Sequence, residues 1–267
     1  QINLLIDLIL ASLLPVGAIS WLYYADRVAQ LPLGIVGIAL GTALLPRLSA
    51  AEAASPPAEV RGRLAGAVGL AGFLVIPAVA GLVLCGLSIM QGLFVYGAFN
   101  ESDAQMASLA LTAYGCGLPG FVMVKILQTA FYAAGQPGIV LKVSLTTVAI
   151  NVAGSLLLMP ILGHVGLALA TAISGTAAAV IMVVLLARQN RLSVAFLPGL
   201  GKIIVATAVM GATVISLQYG LDYFMHLPAA LDLVIIVGGG GAVYALMCCS
   251  IGAVPAGLML RGKARNT

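Results

Sequence analysis

The sequence predicts an all-α integral membrane protein of eight transmembrane helices, and three observations carry that expectation. Hydrophobic residues make up 62% of the chain and charged residues 7%, with a mean hydropathy of +1.15, whereas soluble domains carry roughly 25% charged residues. A chain so poor in charge cannot cover a water-facing surface. Apolar runs of roughly 20 residues, the length a helix needs to cross the hydrocarbon of a bilayer, recur from one end to the other. A transmembrane β-barrel would show shorter segments of alternating polarity. Basic and acidic residues also separate onto alternate connectors, as the positive-inside rule requires.

The eight spans are expected at roughly residues 3–24, 29–46, 64–88, 105–133, 139–159, 164–187, 201–219 and 229–258. The first is no cleavable signal peptide, because it lacks a basic start, carries Asp7 and runs straight into the second span. Residue 1 is Gln, so the sequence is expected to begin inside a longer protein. Breaker residues mark the connectors that follow: Ser55-Pro56-Pro57, Asn100-Glu101-Ser102-Asp103, Gly135-Gln136-Pro137-Gly138, Pro160 and Pro198-Gly199. Gly37 and Gly41 form a small-xxx-small pair, and Pro15, Pro32, Pro77 and Pro119 fall inside apolar segments, where they permit close helix approach and bends. Such bends suit helices that move, although static bundles contain them too.

Ten of the twelve basic residues lie on one set of connectors and the tail: Arg47, Arg61, Arg63, Lys142, Arg188, Arg191, Lys202, Arg261, Lys263 and Arg265. The opposite connectors hold Glu101, Asp103, Asp222 and Asp232. Both chain ends are therefore expected in the cytoplasm.

Two cations break this pattern. Arg27, next to Asp26, falls between the first two expected spans at their external end. One reading is a self-neutralising pair in an interfacial turn beside Trp21, Tyr23 and Tyr24. The other is an anion contact, for which arginine offers a planar, permanently charged fork suited to phosphate oxygens, with Asp26 orienting or balancing it. Lys125 is the second exception, roughly 12 Å of helix from the inner end of its span. It either snorkels to the cytoplasmic surface or lines a cavity. Asp7 has no basic residue within a helical turn. It sits at the interface, takes up a proton, or ligates a cation.

Enzyme chemistry finds little support. Cys85, Cys116, Cys248 and Cys249 lack CxxC spacing, and His164 and His226 stand apart in external connectors, so no metal cluster or cofactor is expected. The Gly238–Gly241 run follows no strand and is not a phosphate-cradling loop. No nucleophile with base and orienter emerges. The net charge of +4 is spread thinly over the inner loops and reports topology; nucleic acid is not an expected partner.

LLIDLILASLLPVGAISWLYYADR, followed by QLPLGIVGIALGTALLPRLS, closely resembles the MurJ (MviN) lipid II flippases of bacteria. VKILQTAFYAAGQPGIVLKVSL and INVAGSLLLMPILGHVGLALATAIS look like the same family. Members have fourteen transmembrane helices, two six-helix lobes and an extra pair, and here the match begins at the seventh. The resemblance therefore implies that residues 1–190 form the second six-helix transporter lobe and residues 191–267 the extra helix pair with a cytoplasmic tail. The first six-helix lobe is missing and would be a partner of this segment, together with membrane lipids.

The function implied is translocation of the undecaprenyl-diphosphate-linked peptidoglycan precursor, lipid II, across the bacterial inner membrane by alternating access. Arg27 corresponds to the cavity arginine of the second lobe, Asp26 to its neighbouring acid, and the extra pair to the groove for the lipid tail. Lys125 is expected to line the inward cavity. The family's cation site maps onto Asp7, Asn151 and Thr171, oxygen donors suited to sodium, with proton coupling through Asp7 as the alternative. Ser155 stands where some members carry a second carboxylate. Another exporter of the same superfamily, handling lipid-linked oligosaccharides or drugs, is the nearest rival, and a membrane enzyme of lipid-linked sugar metabolism a more distant one.

Overall fold

The computed structural model describes residues 2–54, 56–192, 197–224 and 228–253, and it is helical throughout these residues apart from the short connectors. In chain order the helices are α1 (Ile2–Ser12), α2 (Ala18–Pro32), a π-helical segment (Leu33–Ile38), α3 (Ala39–Ala54), α4 (Pro57–Leu84), α5 (Gly86–Phe94), α6 (Glu101–Ala133), α7 (Pro137–Leu162), α8 (His164–Arg188), α9 (Leu197–Phe224) and α10 (Ala229–Ile251). Seven helices among the described residues are long and apolar enough to cross a membrane, the first running from Ala18 to Ala50. The extension of the last span to residue 258, His226, and the tail basics Arg261, Lys263 and Arg265 lie outside the described residues.

The N-terminal boundary differs from the expected one. Residues 3–24 do not form one span: α1 ends at Ser12, and a new helix starts at Ala18. Pro15 cannot continue the first helix. Gly17 then takes a left-handed φ of 104°, against which the Trp21 indole packs so closely that a Cβ there would lie 2.7 Å from a ring carbon. The turn is therefore at residues 13–17, and Asp26-Arg27 sits in the third turn of a helix rather than in a connector. The apolar run hid this break because every residue between Leu8 and Leu22 except Ser12 and Ser20 is apolar. After Pro32 the helix widens into the π-helical segment before resuming as α3, in one continuous helical run.

Hydrogen bonds define the two ends of the bundle. At one, Asn100 caps α6 by accepting from the Ser102 and Asp103 amides (2.9 and 3.1 Å), while Asp103 accepts from the Asn100 amide (3.0 Å). Asp103 also accepts from Trp21 Nε1 (2.8 Å), tying α2 to α6. At the other end, Arg61 donates to Asn190 Oδ1 (2.8 Å) and Gln189 donates to Gln136 (3.0 Å), tying the end of α8 to the starts of α4 and α7.

The central core draws on α1 through α8, with Phe131, Leu111, Ile126 and Leu186 fully buried. α6 is its axis, packing against α2, α3, α4, α5 and α8. α9 and α10 pair with each other and reach the rest through α4 and α5, where Val214, Leu221 and Ile236 meet Cys85 in one cluster and Met210, Tyr244 and Cys248 build another. Two polar contacts pin this seam: Tyr244 donates to the Phe73 carbonyl (2.6 Å) and Gln218 to the Leu84 carbonyl (3.1 Å). Tyr244→Phe leaves that carbonyl's contact unmade and is expected to lower stability by about 1 kcal/mol, read as an earlier melt in detergent with the helix content unchanged.

Candidate translocation site

Arg27 rises from α2 on an exposed face, with its guanidinium 4.8 Å from the centroid of the Tyr23 ring one turn earlier. Asp26 is half-buried and accepts a hydrogen bond from Gln30. Among the described residues neither Asp26 nor Arg27 takes part in an ion pair, so the carboxylate is engaged by the amide and the guanidinium by an aromatic face. That arrangement has a chemical consequence. A contact with an aromatic face does not use up the guanidinium N–H groups, and it is those groups that grip phosphate oxygens in a bidentate fork.

Lys125 is exposed on α6 and reaches the same long helix lower down. Its stem passes Gly37 in the π-helical segment: a Cβ on Gly37 would sit 3.5 Å from the Lys125 Cγ. Ten residues separate position 27 from position 37, about 15 Å of helix axis. The two cations that break the charge pattern are thus held along one helix, Arg27 by its own backbone and Lys125 by contact.

The oxygen donors form a second group. Asn151 and Ser155 are fully buried on α7, and α1, which carries Asp7, packs on both α7 and α8. Asn151 Nδ2 donates to Thr171 Oγ1 (3.0 Å), and Thr171 in turn donates to the Leu167 carbonyl (3.1 Å). Those bonds turn the Asn151 amide so that its oxygen is the unsatisfied end. Asp7 Oδ1, Asn151 Oδ1 and Ser155 Oγ are all buried without a hydrogen-bond partner. Buried polar atoms are normally paired, because an orphan costs roughly 1–3 kcal/mol. Three orphaned oxygens on two neighbouring helices fit a hard cation, which takes oxygen ligands and offers no hydrogen bond of its own.

One cluster was invisible in the sequence. His164 is not an isolated connector residue: it opens α8, is buried, contacts the Met106 carbonyl through Nε2 (3.0 Å), and meets Trp21 edge-on at 5.0 Å. With the Trp21–Asp103 bond it locks the starts of α2, α6 and α8 together. Tyr23, expected in an interfacial aromatic group beside Asp26-Arg27, instead lies one helical turn before Arg27 with its ring under the guanidinium, a contact that the i−4 spacing makes readable.

A family model described as lipid II flippase MurJ matches residues 1–231. A probable lipid II flippase MurJ from Rhizobium tropici is 34% identical over 275 aligned residues, covering 100% of this chain and 51% of that protein. Its counterpart from Haemophilus influenzae is 32% identical, covering 88% of this chain and 49% of that protein. A solved structure titled lipid II flippase MurJ, inward closed conformation, superposes with a TM-score of 0.76 at 24% identity, over 94% of this chain and 50% of that one, which shows a shared fold. The chain thus spans about half the length of these relatives. From the first residue to within α10, this chain belongs to the MurJ lipid II flippase family.

Proposed function

We propose that this chain supplies the second lobe and the extra helix pair of a lipid II flippase in the bacterial inner membrane. It moves undecaprenyl-diphosphate-linked peptidoglycan precursor from the inner to the outer leaflet, with both ends of the segment on the cytoplasmic side. The observation that carries the reading is Arg27: an exposed arginine in the third turn of an apolar helix, stacked on Tyr23 and without an ion-pair partner among the described residues. A diphosphate crossing hydrocarbon must have its charge met by fixed cations, since transferring it bare costs tens of kcal/mol by Born solvation. Arg27 engages the diphosphate, Lys125 follows it along the same wall, and Asp26 holds Gln30 beside them. The test is transport of fluorescent lipid II by the full-length protein in liposomes. Translocation above protein-free vesicles supports the reading; equal rates, or a preference for a different lipid-linked oligosaccharide, refute it.

Asp7, Asn151, Thr171 and Ser155 couple that movement to a cation, sodium by the chemistry of the donor set. The orphaned oxygens of Asp7, Asn151 and Ser155 support this assignment. Asp7→Asn keeps the shape and removes the charge. It is expected to abolish the sodium-dependent rise in melting temperature of the full-length protein and to make transport indifferent to a sodium gradient. A melt that responds to pH in place of sodium, and loses that response in Asp7→Asn, would point to proton coupling through the same carboxylate.

A further inference from the structure

At the end of the bundle where α6 begins, the seam between the terminal pair and the lobe encloses a cavity of about 490 Å³, walled by α4, α5, α9 and α10. Its polar side chains are Ser88, Gln91, Gln218, Tyr219 and Asp232. The hydrogen bonds already made sort these groups. Gln91 gives an N–H to Glu101 (2.6 Å), and Gln218 gives one to the Leu84 carbonyl (3.1 Å). Each amide thus has one of its two N–H donors taken by the protein, and its carbonyl oxygen is taken by none of these bonds. Asp232 adds a carboxylate whose Oδ1 is buried with no partner. It lies in the first turn of α10, where a negative charge complements the helix dipole.

The cavity thus offers a carboxylate and two amide oxygens as acceptors, beside one free N–H on each amide and the Ser88 and Tyr219 hydroxyls, and Asp232 is its one charge among the described lining residues. A bare metal ion is far too small for it, whereas a primary ammonium brings three N–H donors and one positive charge to a carboxylate and two amide oxygens. The rim says how such a group arrives. Leu87 and Ile215 are each 40% exposed and Tyr219 is 76% exposed, so apolar and aromatic surface continues outward from the polar end at the level of a helix terminus. Aromatic residues at that level mark the headgroup layer.

We propose that this cavity binds the primary ammonium headgroup of a membrane lipid, with Asp232 as counter-ion, the Gln91 and Gln218 carbonyls as acceptors, and the lipid chains lying along Leu87 and Ile215. The site is separate from Arg27 and from the buried oxygen donors, and it does not depend on which substrate is translocated.

The full-length protein, titrated in micelles and read by native mass spectrometry, tests this with dioleoyl phosphatidylethanolamine against its choline and glycerol counterparts. The choline lipid has the same net charge but no N–H donors. Phosphatidylethanolamine is expected to be retained about tenfold more tightly than either, the scale of one charge-assisted contact. Asp232→Asn, which preserves shape, brings its retention down to the choline level, and Ser88→Leu, which fills the cavity and leaves the charge, does the same. Free ethanolamine at millimolar concentration does not displace the lipid. Equal retention of the three lipids, or an unchanged preference in Asp232→Asn, overturns the proposal. Displacement by free ethanolamine overturns the lipid as the source. A melting loss in Asp232→Asn that is equal in ethanolamine and choline lipids, with no change in retention, reduces Asp232 to a helix-terminus charge and also overturns it.

Discussion

Arg27→Ala in the full-length protein is expected to abolish lipid II translocation while leaving membrane insertion and abundance unchanged. The substitution removes a side chain from an exposed face of α2 and takes nothing from the core, whose nearby members are Leu22, Ala25, Val28 and Ala29. On the proposed reading it removes a bidentate, charge-assisted contact, on the order of 2–3 kcal/mol, or a factor of about 30 to 150 in the affinity for the diphosphate. Arg27→Lys separates charge from geometry. A lysine keeps the positive charge but presents it as a hydrated point, so it should retain measurable transport at about a tenth of the normal rate, an order-of-magnitude figure for one lost directed hydrogen bond. Tyr23→Ala removes the stacking platform and should weaken transport several-fold, in keeping with about 0.5–2 kcal/mol for a cation–π contact. Tyr23→Phe keeps the ring and should be silent. Normal lipid II transport by an Arg27→Ala protein present at normal abundance would remove Arg27 from the translocation path.

Composition and run length made the fold class legible because they report the solvent around the protein, and no packing detail can mask that. From α4 onward the connectors at Asn100 and Gly135 were readable because those residues stand out against apolar surroundings, whereas Pro160 and Pro198-Gly199, expected in connectors, lie within α7 and α9, and the break at Cys85 between α4 and α5 falls inside the span expected at 64–88. The break at Ser12–Gly17 was not, because proline and glycine occur both inside membrane helices and between them, and hydropathy is the same on either account. Its location changes how Arg27 is understood. A charge pair in an interfacial turn needs no role, whereas an arginine in the third turn of an apolar helix, over the Tyr23 ring, calls for one. The oxygen donors show the opposite limit. Asp7, Asn151, Ser155 and Thr171 come from three helices, and no spacing rule links them; family resemblance suggested the set, and only the packing of α1, α7 and α8 reveals that three of their oxygens go unpaired. His164 was misjudged for the same reason, since its partners Trp21 and Met106 are distant in sequence.

The second large effect concerns the seam that holds these groups in register. α6 carries Lys125 and α8 carries Thr171, and the two helices approach most closely at glycines. A Cβ on Gly117 would lie 2.6 Å from the Ala172 Cα, and one on Gly120 would lie 2.7 Å from the Thr176 Cα and 2.8 Å from its amide nitrogen. These neighbours are backbone, so a rotamer change cannot relieve the clash. Gly120→Val must therefore push α8 away from α6 along the axis of the core, breaking van der Waals contact on both sides of the new methyls. Overpacking of this kind costs about 1–3 kcal/mol where side chains can move and more where backbone must. Each single valine substitution at Gly117 or Gly120 is expected to lower the melting temperature sharply, and the double variant to leave no folded protein to purify. Gly138→Ala is the control, because a Cβ there meets nothing within 4 Å, and its melt should match the parent. A milder outcome is expected at Gly175, where the added atom would meet the edge of the Phe121 ring at 2.3 Å, a side chain that can swing aside. If Gly120→Val melted like Gly138→Ala, the close approach of α6 and α8 would be wrong, and with it the fixed spacing between the helix that carries Lys125 and the one that carries Thr171.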